Sequence, residues 1–259
     1  MDVIPIPRSR LSVSIVLHNS ALALLRRTLQ SLHESAQLAR ETGYLEHVAV
    51  YLVDNASDAH YRTLLAAEVA VWSQNVFFTV VLRPQAHNSG FGCGHNVVLP
   101  LVDSDFHLIL NPDVELETDA LRAGLSSLSA CDDIALLSPM AYGGTGQREF
   151  LCKRYPTVLV LLLRGFAPRC LHRLFHRQLG VYEMRDQCGG EKKVDVAIAS
   201  GCFMLLRTST LRAARGFNEA FFLYFEDFDL SLRLGRQGRL VFDPRKRIVH
   251  HGGYSARKG

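Results

Sequence analysis

The first half of the chain alternates short apolar runs with segments of helical periodicity. The apolar runs, which predict buried strands, are residues 12–17, 48–53, 76–82 and 106–110. Helices are predicted between them at about residues 22–38, 59–72 and 95–101. Strands that are apolar on both faces and separated by helices are typical of a parallel sheet covered on both sides. The pattern therefore predicts an α/β fold.

The middle of the chain intersperses basic residues with Leu and Phe. Within residues 153–177 these are Lys153, Arg154, Arg164, Arg169, Arg173 and Arg177. Such a basic amphipathic segment either lies on an anionic membrane surface or packs on its own domain as a solvated helix, and the sequence leaves both open. Beyond residue 194 the pattern is again that of a folded core. It predicts strands at 194–198, 202–206, 240–242 and 248–250, and a helix at 226–236.

Composition narrows the class of protein. The chain has 259 residues, of which 48% are hydrophobic and 21% charged, so it is not a disordered chain. The net charge of +4 is too small to make nucleic acid the expected partner. Six cysteines without a CxxC pair favour reduced thiols in a cytoplasmic protein. Residues 1–10 do not resemble a secretory signal, and no apolar run approaches the roughly 20 residues that span a bilayer.

Polar residues follow directly after the predicted strands of the first half. They are His18-Asn19, Asp54-Asn55, Arg83 and Asn111-Pro112-Asp113. Ligands of parallel sheets bind beyond the carboxyl ends of the strands, so we expect these residues to face one crevice. Taken singly, each is as easily a turn former or a helix N-cap.

A glycine-rich stretch follows the third predicted strand. Gly90, Gly92 and Gly94 precede Asn96. A dinucleotide fingerprint needs GxGxxG directly after the first strand, so a site of that type is excluded, as is a phosphate-binding loop of the GxxxxGK[ST] type. The glycines instead suit a close approach of the backbone to a ligand or to a neighbouring segment.

Three sets of side chains are candidates for chemistry. Asp113 lies where one carboxylate could anchor Mg²⁺ or Mn²⁺ together with phosphate oxygens. Residues 221–229 embed Glu226 and Asp227 among aromatic residues at a predicted helix start, a setting that can tune a general base, although the two acids would also serve as helix caps. His250 and His251 end the last predicted strand, and one of them is a candidate metal ligand.

These motifs occur in an order that resembles one family. In sequence they are 54–57 (DNAS), 88–92 (NSGFG) with Asn96, 111–113 (NPD), 200–203 (SGCF), 216–219 (GFNE), 221–229 and His250. The chain, from Ser12 to about Gly253, resembles glycosyltransferase family 2 in its bacterial rhamnosyltransferase-like branch.

The resemblance implies a GT-A fold over residues 1–259, a single continuous domain with a mostly parallel central sheet flanked by helices. Its nucleotide-sugar half would be residues 10–115 and its acceptor half residues 116–253. It also implies an inverting transfer in one displacement, with Asp227, preceded by Glu226, as the base. The residues implied at the donor are His18, Asn19, Asp54, Asn55, Arg83, Asn88, Gly90, Asn96, Asn111, Asp113, Ser200 and Gly201.

Within that set, Asp54 would bind the pyrimidine base, and His18, Asn19 and Arg83 would line the nucleoside pocket. Residues 111–113 take the place of the family's DxD metal motif with Asn first, which leaves Asp113 as the main carboxylate ligand of Mg²⁺ or Mn²⁺. His250 would complete the metal shell, with His251 as the alternative.

The resemblance further suggests dTDP-L-rhamnose as donor and a lipopolysaccharide or other surface glycan, free or lipid-linked, as acceptor. The enzyme would then be cytoplasmic, with peripheral contact at the inner membrane and no nucleic-acid partner. A UDP-sugar donor and an inactive nucleotide- or carbohydrate-binding module are the alternatives. A nucleotidyltransferase is disfavoured, because residues 18–20 (HNS) stand where it would carry a glycine-rich basic loop.

Overall fold

A computed structural model describes residues 9–252; the predicted domain limits at residues 1, 253 and 259 lie outside this range. The strands are β1 (Ser9–Leu17), β2 (Leu45–Asp54), β3 (Phe78–Pro84), β4 (Phe106–Leu110), β5 (Val114–Leu116), β6 (Ile134–Gly143), β7 (Arg148–Glu149), β8 (Cys152–Lys153), β9 (Val194–Asp195), β10 (Ile198–Ala199), β11 (Phe203–Arg207) and β12 (Arg239–His250). The helices are α1 (Leu22–Glu41), α2 (Ala59–Ala70), α3 (Phe91–Asn96), α4 (Ala120–Ala130), α5 (Val158–Phe166), α6 (Arg169–Leu174), α7 (His176–Tyr182), α8 (Thr208–Ala213) and α9 (Glu226–Leu234).

The central sheet is mixed and mostly parallel, in the order β3-β2-β1-β4-β11-β6-β12-β5. Strands β3, β2, β1 and β4 are parallel, as the sequence predicts. Strand β11 is inserted antiparallel between β4 and β6, and β12 returns parallel to β6. The predicted α/β class, with helices flanking a mostly parallel sheet, is confirmed.

This order brings the ends of many strands to one edge of the sheet. Strands β1, β2, β3 and β4 end there because they run parallel. Strand β11 runs the other way, so it begins there, with Phe203 opposite Leu110. Strand β12 ends there with His250 opposite Gly143 and Val114. Loops that are distant in the sequence therefore meet at a single edge.

Two apolar clusters hold the helices against the two faces of the sheet. On one face α1 buries Leu25, Leu29 and Leu32, the stripe expected from the sequence, together with residues of α2 and α4. On the other face α9 buries Leu230 and Leu234 against β6 and β11. Full burial of such a side chain contributes about 1.5–3 kcal/mol. This packing fixes where α9 begins, at the edge to which the loops converge.

Several elements differ from the sequence prediction. The sequence pattern does not predict strand β6, because Ser138 and Pro139 interrupt its apolar run. In the structure both residues lie within this strand, in which nearly every residue is buried. The two strands predicted at 240–242 and 248–250 are one strand, β12, whose register shifts between Asp243 and Arg247. The helix predicted at 95–101 is α3 followed by a 3-10 turn.

The second half also contains elements that the sequence pattern did not predict, among them β5, α4 and α8. The run at 194–198 forms two short strands, β9 and β10, in different sheets. Between residues 9 and 252, the chain contains no helix that combines the length and the apolar character required to cross a bilayer.

Candidate active site

The loops after β1 and β2 are joined to each other. The backbone N–H of Asn55 donates to Leu17 O at 2.8 Å, and His18 Nδ1 lies 2.9 Å from Asn55 O. Asn19, with a left-handed φ of 48°, receives a hydrogen bond from Asp58 N at its side-chain oxygen and donates its own N–H to Ser57 Oγ. The two predicted pairs, His18-Asn19 and Asp54-Asn55, therefore lie side by side.

Asp54 is held by the protein itself. Its side chain is 1% exposed; one oxygen accepts the Ser57 N–H at 3.0 Å and the other accepts Arg62 Nε at 2.8 Å. The carboxylate thus closes the turn after β2 and pairs with a half-exposed arginine of α2. Its predicted contact with a pyrimidine base stays a prediction.

Asn55 connects the β2 loop to the glycine-rich stretch. Its amide nitrogen donates to Asn88 Oδ1 at 2.8 Å and to Gly90 O at 3.0 Å, and its oxygen accepts the Ser89 N–H at 3.2 Å. Arg83 lies exposed at the end of β3 on the same edge. The residues predicted around the nucleoside thus form one connected surface.

Gly90 permits a close backbone contact with the aromatic stretch near the second half of the site. Its φ is +90°, and a Cβ there would lie 2.3 Å from the carbonyl oxygen of Phe222. The neighbouring N–H of Phe91 donates to that same oxygen at 3.2 Å. A side chain at residue 90 would be excluded both by the conformation and by the contact.

Asn96 joins α3 to the segment before the aromatic stretch. Its amide nitrogen donates to Phe217 O at 2.9 Å, and its oxygen accepts the Phe217 N–H at 2.8 Å. Gly216, at φ +65°, leaves the room that this pairing needs. Asn96 thus connects α3 to the segment around Phe217 through two hydrogen bonds. Its predicted contact with the donor stays a prediction.

Asp113 and His250 come together at the other end of the edge. Asp113 Oδ1 lies 3.6 Å from His250 Nε2, and this buried oxygen has no hydrogen-bond partner among the described residues. His250 Nδ1 lies 2.9 Å from Glu149 Oε2. His251 points elsewhere, with its Nε2 2.6 Å from Glu115 Oε1. Of the two predicted histidines, His250 is the one beside Asp113.

This set of atoms fits a hard divalent cation that is shared with a ligand. An orphaned carboxylate oxygen and an imidazole nitrogen are suitable ligands, and Mg²⁺ is usually bound by one or two protein carboxylates plus substrate phosphates. Glu149 orients the ring from behind, the arrangement in which a ligating histidine donates its other N–H to a carboxylate. Residues 9–252 contain no ready-made cluster of three or more His, Cys, Asp or Glu side chains for a metal.

Asp227 lies at the start of α9, after two residues of left-handed conformation, Tyr224 and Phe225. One of its oxygens accepts the Phe228 N–H at 2.9 Å and the other the Gly201 N–H at 3.2 Å. Burial raises the pKa of Asp227, while these backbone hydrogen bonds and the nearby Lys153 ammonium oppose the shift. Burial also raises the pKa of Glu226. Asp227 is therefore a half-buried carboxylate with a raised pKa, and its role as general base stays a prediction.

The segment from Ser200 to Cys202 connects the metal side to the base side. Gly201 bonds Asp227, and Cys202 O accepts the Asn111 N–H at 2.9 Å. Burial raises the pKa of the Cys202 thiol to about 12, and the charges of Asp113, Glu149 and Asp227 add to the shift. Asp227 and the turn that holds Asp113 thus bond to consecutive residues, Gly201 and Cys202, which brings the two carboxylates to the same edge of the sheet. We call the region between them the cleft.

Sequence reasoning missed two contributors to this cleft. Glu149 reaches His250 because the turn after β6 folds β7 back against β6. In this hairpin Glu149 lies opposite Ala141. Lys153 lies on β8, opposite Ile198. Neither stands at the end of a predicted strand, so only a correct prediction of β6 and of its hairpin could have pointed to Glu149.

Comparison with known proteins agrees with the motif order. The model of "Glycosyl transferase family 2" matches residues 12–213. The N-acetylglucosaminyl-diphospho-decaprenol L-rhamnosyltransferase of Mycobacterium tuberculosis (H37Rv) is 28% identical over 189 residues, 68% of this chain and 60% of that protein. Rhamnosyltransferase WbbL of Escherichia coli K12 is 24% identical over 180 residues, 65% of this chain and 63% of that one. The chain thus spans less than two thirds of the length of these curated relatives.

Solved structures with the same fold cover nearly the whole chain. GalNAc-T7 with UDP, GalNAc and Mn²⁺ gives a TM-score of 0.69 at 15% identity, over 97% of this chain and 45% of that one. The mannosyltransferase PcManGT from Pyrobaculum calidifontis, with GDP-Man and Mn²⁺, gives 0.65 at 17% identity, over 98% and 60%. TarS residues 1–349 of S. aureus with UDP-GlcNAc gives 0.61 at 15% identity, over 96% and 61%. At these identities the likeness concerns the fold.

Proposed function

Since the chain belongs to glycosyltransferase family 2, we propose that it is an inverting sugar transferase that uses a nucleotide-sugar donor. The observation that carries this proposal is that Asp227 bonds to Gly201 while Asn111, in the turn that holds Asp113, bonds to the next residue, Cys202, so that the two carboxylates lie at one edge of the sheet. A bound diphosphate and an attacking hydroxyl need such an arrangement, because the leaving group and the base act on opposite sides of one sugar carbon.

In the proposed reaction Asp227 takes the proton of the acceptor hydroxyl as its oxygen attacks the anomeric carbon. The bond from that carbon to the diphosphate breaks on the opposite side, which inverts the configuration. Burial raises the pKa of Asp227, and a base with a raised pKa accepts a proton more readily. Glu226, whose Oε2 is buried without a partner among the described residues, adds to the acidic end of the helix.

Asp113 and His250 are the residues that would hold Mg²⁺ or Mn²⁺, together with diphosphate oxygens. When bound, the ion would neutralise charge on the departing nucleoside diphosphate. Glu149 keeps the His250 ring in place by accepting from Nδ1, which leaves Nε2 directed at Asp113. The Asp113 oxygen that lacks a partner supports this use of the pair.

We propose a deoxyhexose donor, dTDP-L-rhamnose, bound by the half of the chain at residues 10–115, with the acceptor in the half at residues 116–253. The two named rhamnosyltransferases among the relatives support the sugar. The alternative, a UDP-sugar, is supported by the fold neighbours solved with UDP or UDP-GlcNAc. The name of the mycobacterial relative, which specifies a diphospho-decaprenol sugar, supports a lipid-linked glycan as acceptor.

A panel of nucleotide sugars tests the donor. Thermal unfolding in Mn²⁺ should show the largest increase of Tm with dTDP-L-rhamnose, and adding acceptor should release dTDP. A larger increase with UDP-GlcNAc or UDP-galactose would replace the rhamnose donor by a UDP-sugar. No stabilisation by any nucleotide sugar, with or without the metal ion, would contradict the transferase itself.

We also propose that the segment at residues 153–177 contacts the inner membrane from the cytoplasmic side. Arg164, Arg173 and Arg177 are exposed in it, and so are the apolar side chains Leu162 and Leu174. Anionic lipids attract such a combination. Liposomes containing phosphatidylglycerol should carry the protein upward in a flotation gradient at low salt, whereas neutral liposomes should not. Equal flotation with both would contradict a charge-based contact.

A further inference from the structure

A group of cations next to Asp227 has no part in the chemistry described above. Lys153 lies on β8, Arg164 is in the last turn of α5, and Arg185 follows α7. The aromatic ring of Tyr182 lies between the first two: Lys153 Nζ is 5.9 Å and Arg164 Cζ 5.5 Å from its centroid. Arg185 Cζ lies 5.7 Å from the Phe150 ring. We call Lys153, Arg164 and Arg185 the cation cluster.

The cation cluster is not neutralised by the protein. Glu183 is its one paired carboxylate, with Oε1 3.4 Å from Arg164 and Oε2 2.6 Å from Arg185. Three positive charges thus share one negative charge. Burial lowers the pKa of Lys153; Glu183 opposes this shift, whereas Arg164 and Arg185 add to it. Residues 153–182 contain six Lys and Arg and no Asp or Glu. Asp186, the next carboxylate after Glu183, is paired with Arg154 at 2.9 Å.

The cluster remains accessible and lies beside the cleft. The side chains of Arg164 and Arg185 are 48% and 54% exposed. Lys153 lies opposite Ile198 of β10, and Gly201, three residues further along the chain, donates its N–H to Asp227. The charge of Lys153 opposes the rise of the Asp227 pKa, and the charge of Asp227 adds to the rise of the Tyr182 pKa that burial causes. An anionic group of an acceptor whose hydroxyl had reached Asp227 would therefore be attracted to these cations. Arginine suits phosphate oxygens in particular, because its guanidinium can donate two parallel hydrogen bonds.

An apolar surface continues outward from the cluster. Helix α5, which carries Arg164 in its last turn, exposes four apolar side chains with fractional exposures from 43% to 72%: Val158, Leu159, Leu161 and Leu162. A helix within one domain normally buries such side chains. Moving away from Asp227, the protein thus offers a carboxylate, then a group of cations, then exposed hydrocarbon.

We propose that the cation cluster is a subsite for the diphosphate of a lipid-linked sugar acceptor, whose hydrocarbon passes onto the exposed face of α5. This inference rests on the proposed function, since it assigns the acceptor class of the same cleft. The order sugar, diphosphate, lipid matches the order of carboxylate, cations and apolar helix. A free sugar or a neutral glycan would need neither the cation cluster nor the apolar face of α5.

Binding of geranyl diphosphate tests the subsite without any transfer step. Calorimetry is done in EDTA, so that the probe cannot bind through a divalent ion. The wild type should bind geranyl diphosphate, and R164A/R185A should weaken binding by about 100-fold, since each lost charged hydrogen bond accounts for about tenfold. R164K/R185K should restore part of the affinity, because lysine keeps the charge but cannot donate the two parallel hydrogen bonds. R173A/R177A, which removes the same charge from the same segment, should bind like the wild type.

Further titrations decide whether the cation cluster recognises a lipid-linked diphosphate, free pyrophosphate or the headgroups of a membrane. Inorganic pyrophosphate should bind more weakly than geranyl diphosphate, and geraniol should not bind; equal affinity for pyrophosphate would overturn the lipid-linked acceptor. If R164A/R185A impairs only the binding of phosphatidylglycerol vesicles, the cluster recognises membrane headgroups and the subsite is refuted. The proposed function fails separately: a chain that binds geranyl diphosphate but no nucleotide sugar would keep the subsite and lose the transferase.

Discussion

The two halves of the cleft satisfy their polar groups in different ways. On the nucleotide side, Asn55 and Asp54 direct every side-chain oxygen and nitrogen named above at another protein group. On the catalytic side, the Oδ1 of Asp113 and the Oε2 of Glu226 are buried without hydrogen-bond partners among the described residues. Asp227 is held by backbone N–H groups while its pKa is raised.

This difference distinguishes residues that fix the shape of the site from residues that take part in the reaction. Groups that are fully hydrogen-bonded fix the outline of a site, because replacing one leaves its partner unsatisfied. Unpaired or half-buried carboxylates are costly to the fold, and their natural use is to bind a charge or move a proton. We therefore expect substitutions on the catalytic side to abolish activity with little effect on stability. Substitutions among the fully hydrogen-bonded residues should lower stability with little effect on activity.

Asp227→Asn should have the largest effect on activity. Loss of a general base typically reduces turnover by about 10²–10⁴-fold, and donor binding should persist because we assign Asp227 to the acceptor hydroxyl. Initial rates and donor affinity, measured separately, check this. Asp229→Asn is a matched control, since Asp229 lies on the same helix and is paired with Arg233 at 2.6 Å. A rate near that of the wild type for Asp227→Asn would remove this residue from the role of base.

The pH profile sharpens the same assignment. Asp227 must be ionised to accept a proton, so the rate should fall as the pH decreases through its pKa. Because burial raises that pKa, the acidic limb should lie at higher pH than for an ordinary aspartate, whose pKa is about 3.9. Rates from pH 4 to 8 check this, and the limb should disappear from the residual activity of Asp227→Asn. An unchanged limb in the variant would assign it to another group.

Asp113→Ala should abolish metal-dependent nucleotide binding. Removal of the carboxylate leaves His250 as the sole protein ligand that we assign to the ion. Calorimetry of dTDP binding with and without Mn²⁺ should show a clear gain from the ion in the wild type and none in the variant. Glu117→Ala, at an exposed carboxylate on the other side of β5, should behave like the wild type. A gain from Mn²⁺ that survives in Asp113→Ala would place the ion elsewhere.

Glu149→Ala should weaken Mn²⁺ binding by about 10- to 100-fold, the usual cost of removing a carboxylate that orients a ligating histidine. Glu149→Gln should lie between this variant and the wild type, because its amide oxygen can still accept from Nδ1. Mn²⁺ titration in the presence of dTDP measures the affinity. The ¹⁵N shifts of His250 report the tautomer without any turnover. A loss of affinity with no change of tautomer would make Glu149 a direct ligand.

The sequence predicted one side of this comparison better than the other. Residues 18, 54 and 111 were expected at one edge because each ends a parallel strand, and hydrophobic runs mark such strands clearly. Glu149 lies in a hairpin that follows an unpredicted strand, so nothing local distinguished it. The sequence could not choose between His250 and His251 either. Neighbouring side chains of a strand point to opposite faces, and the register of β12 decides which one meets Asp113.

Asn96→Ala should have the smallest effect on activity and a measurable one on stability. Both backbone groups of Phe217 lose their partner, at a cost of about 1–3 kcal/mol in the free energy of unfolding. For a chain of this size each kcal/mol corresponds to about 2–4 °C in Tm. Donor affinity should change little, because the side chain is bonded to the protein. Asn88→Ala, at a more exposed asparagine of the same region, should lower Tm less. If Asn96→Ala instead lost donor affinity at unchanged Tm, Asn96 would contact the donor. Complete hydrogen bonding within the protein would then not distinguish residues that fix the shape of the site from residues that bind the donor.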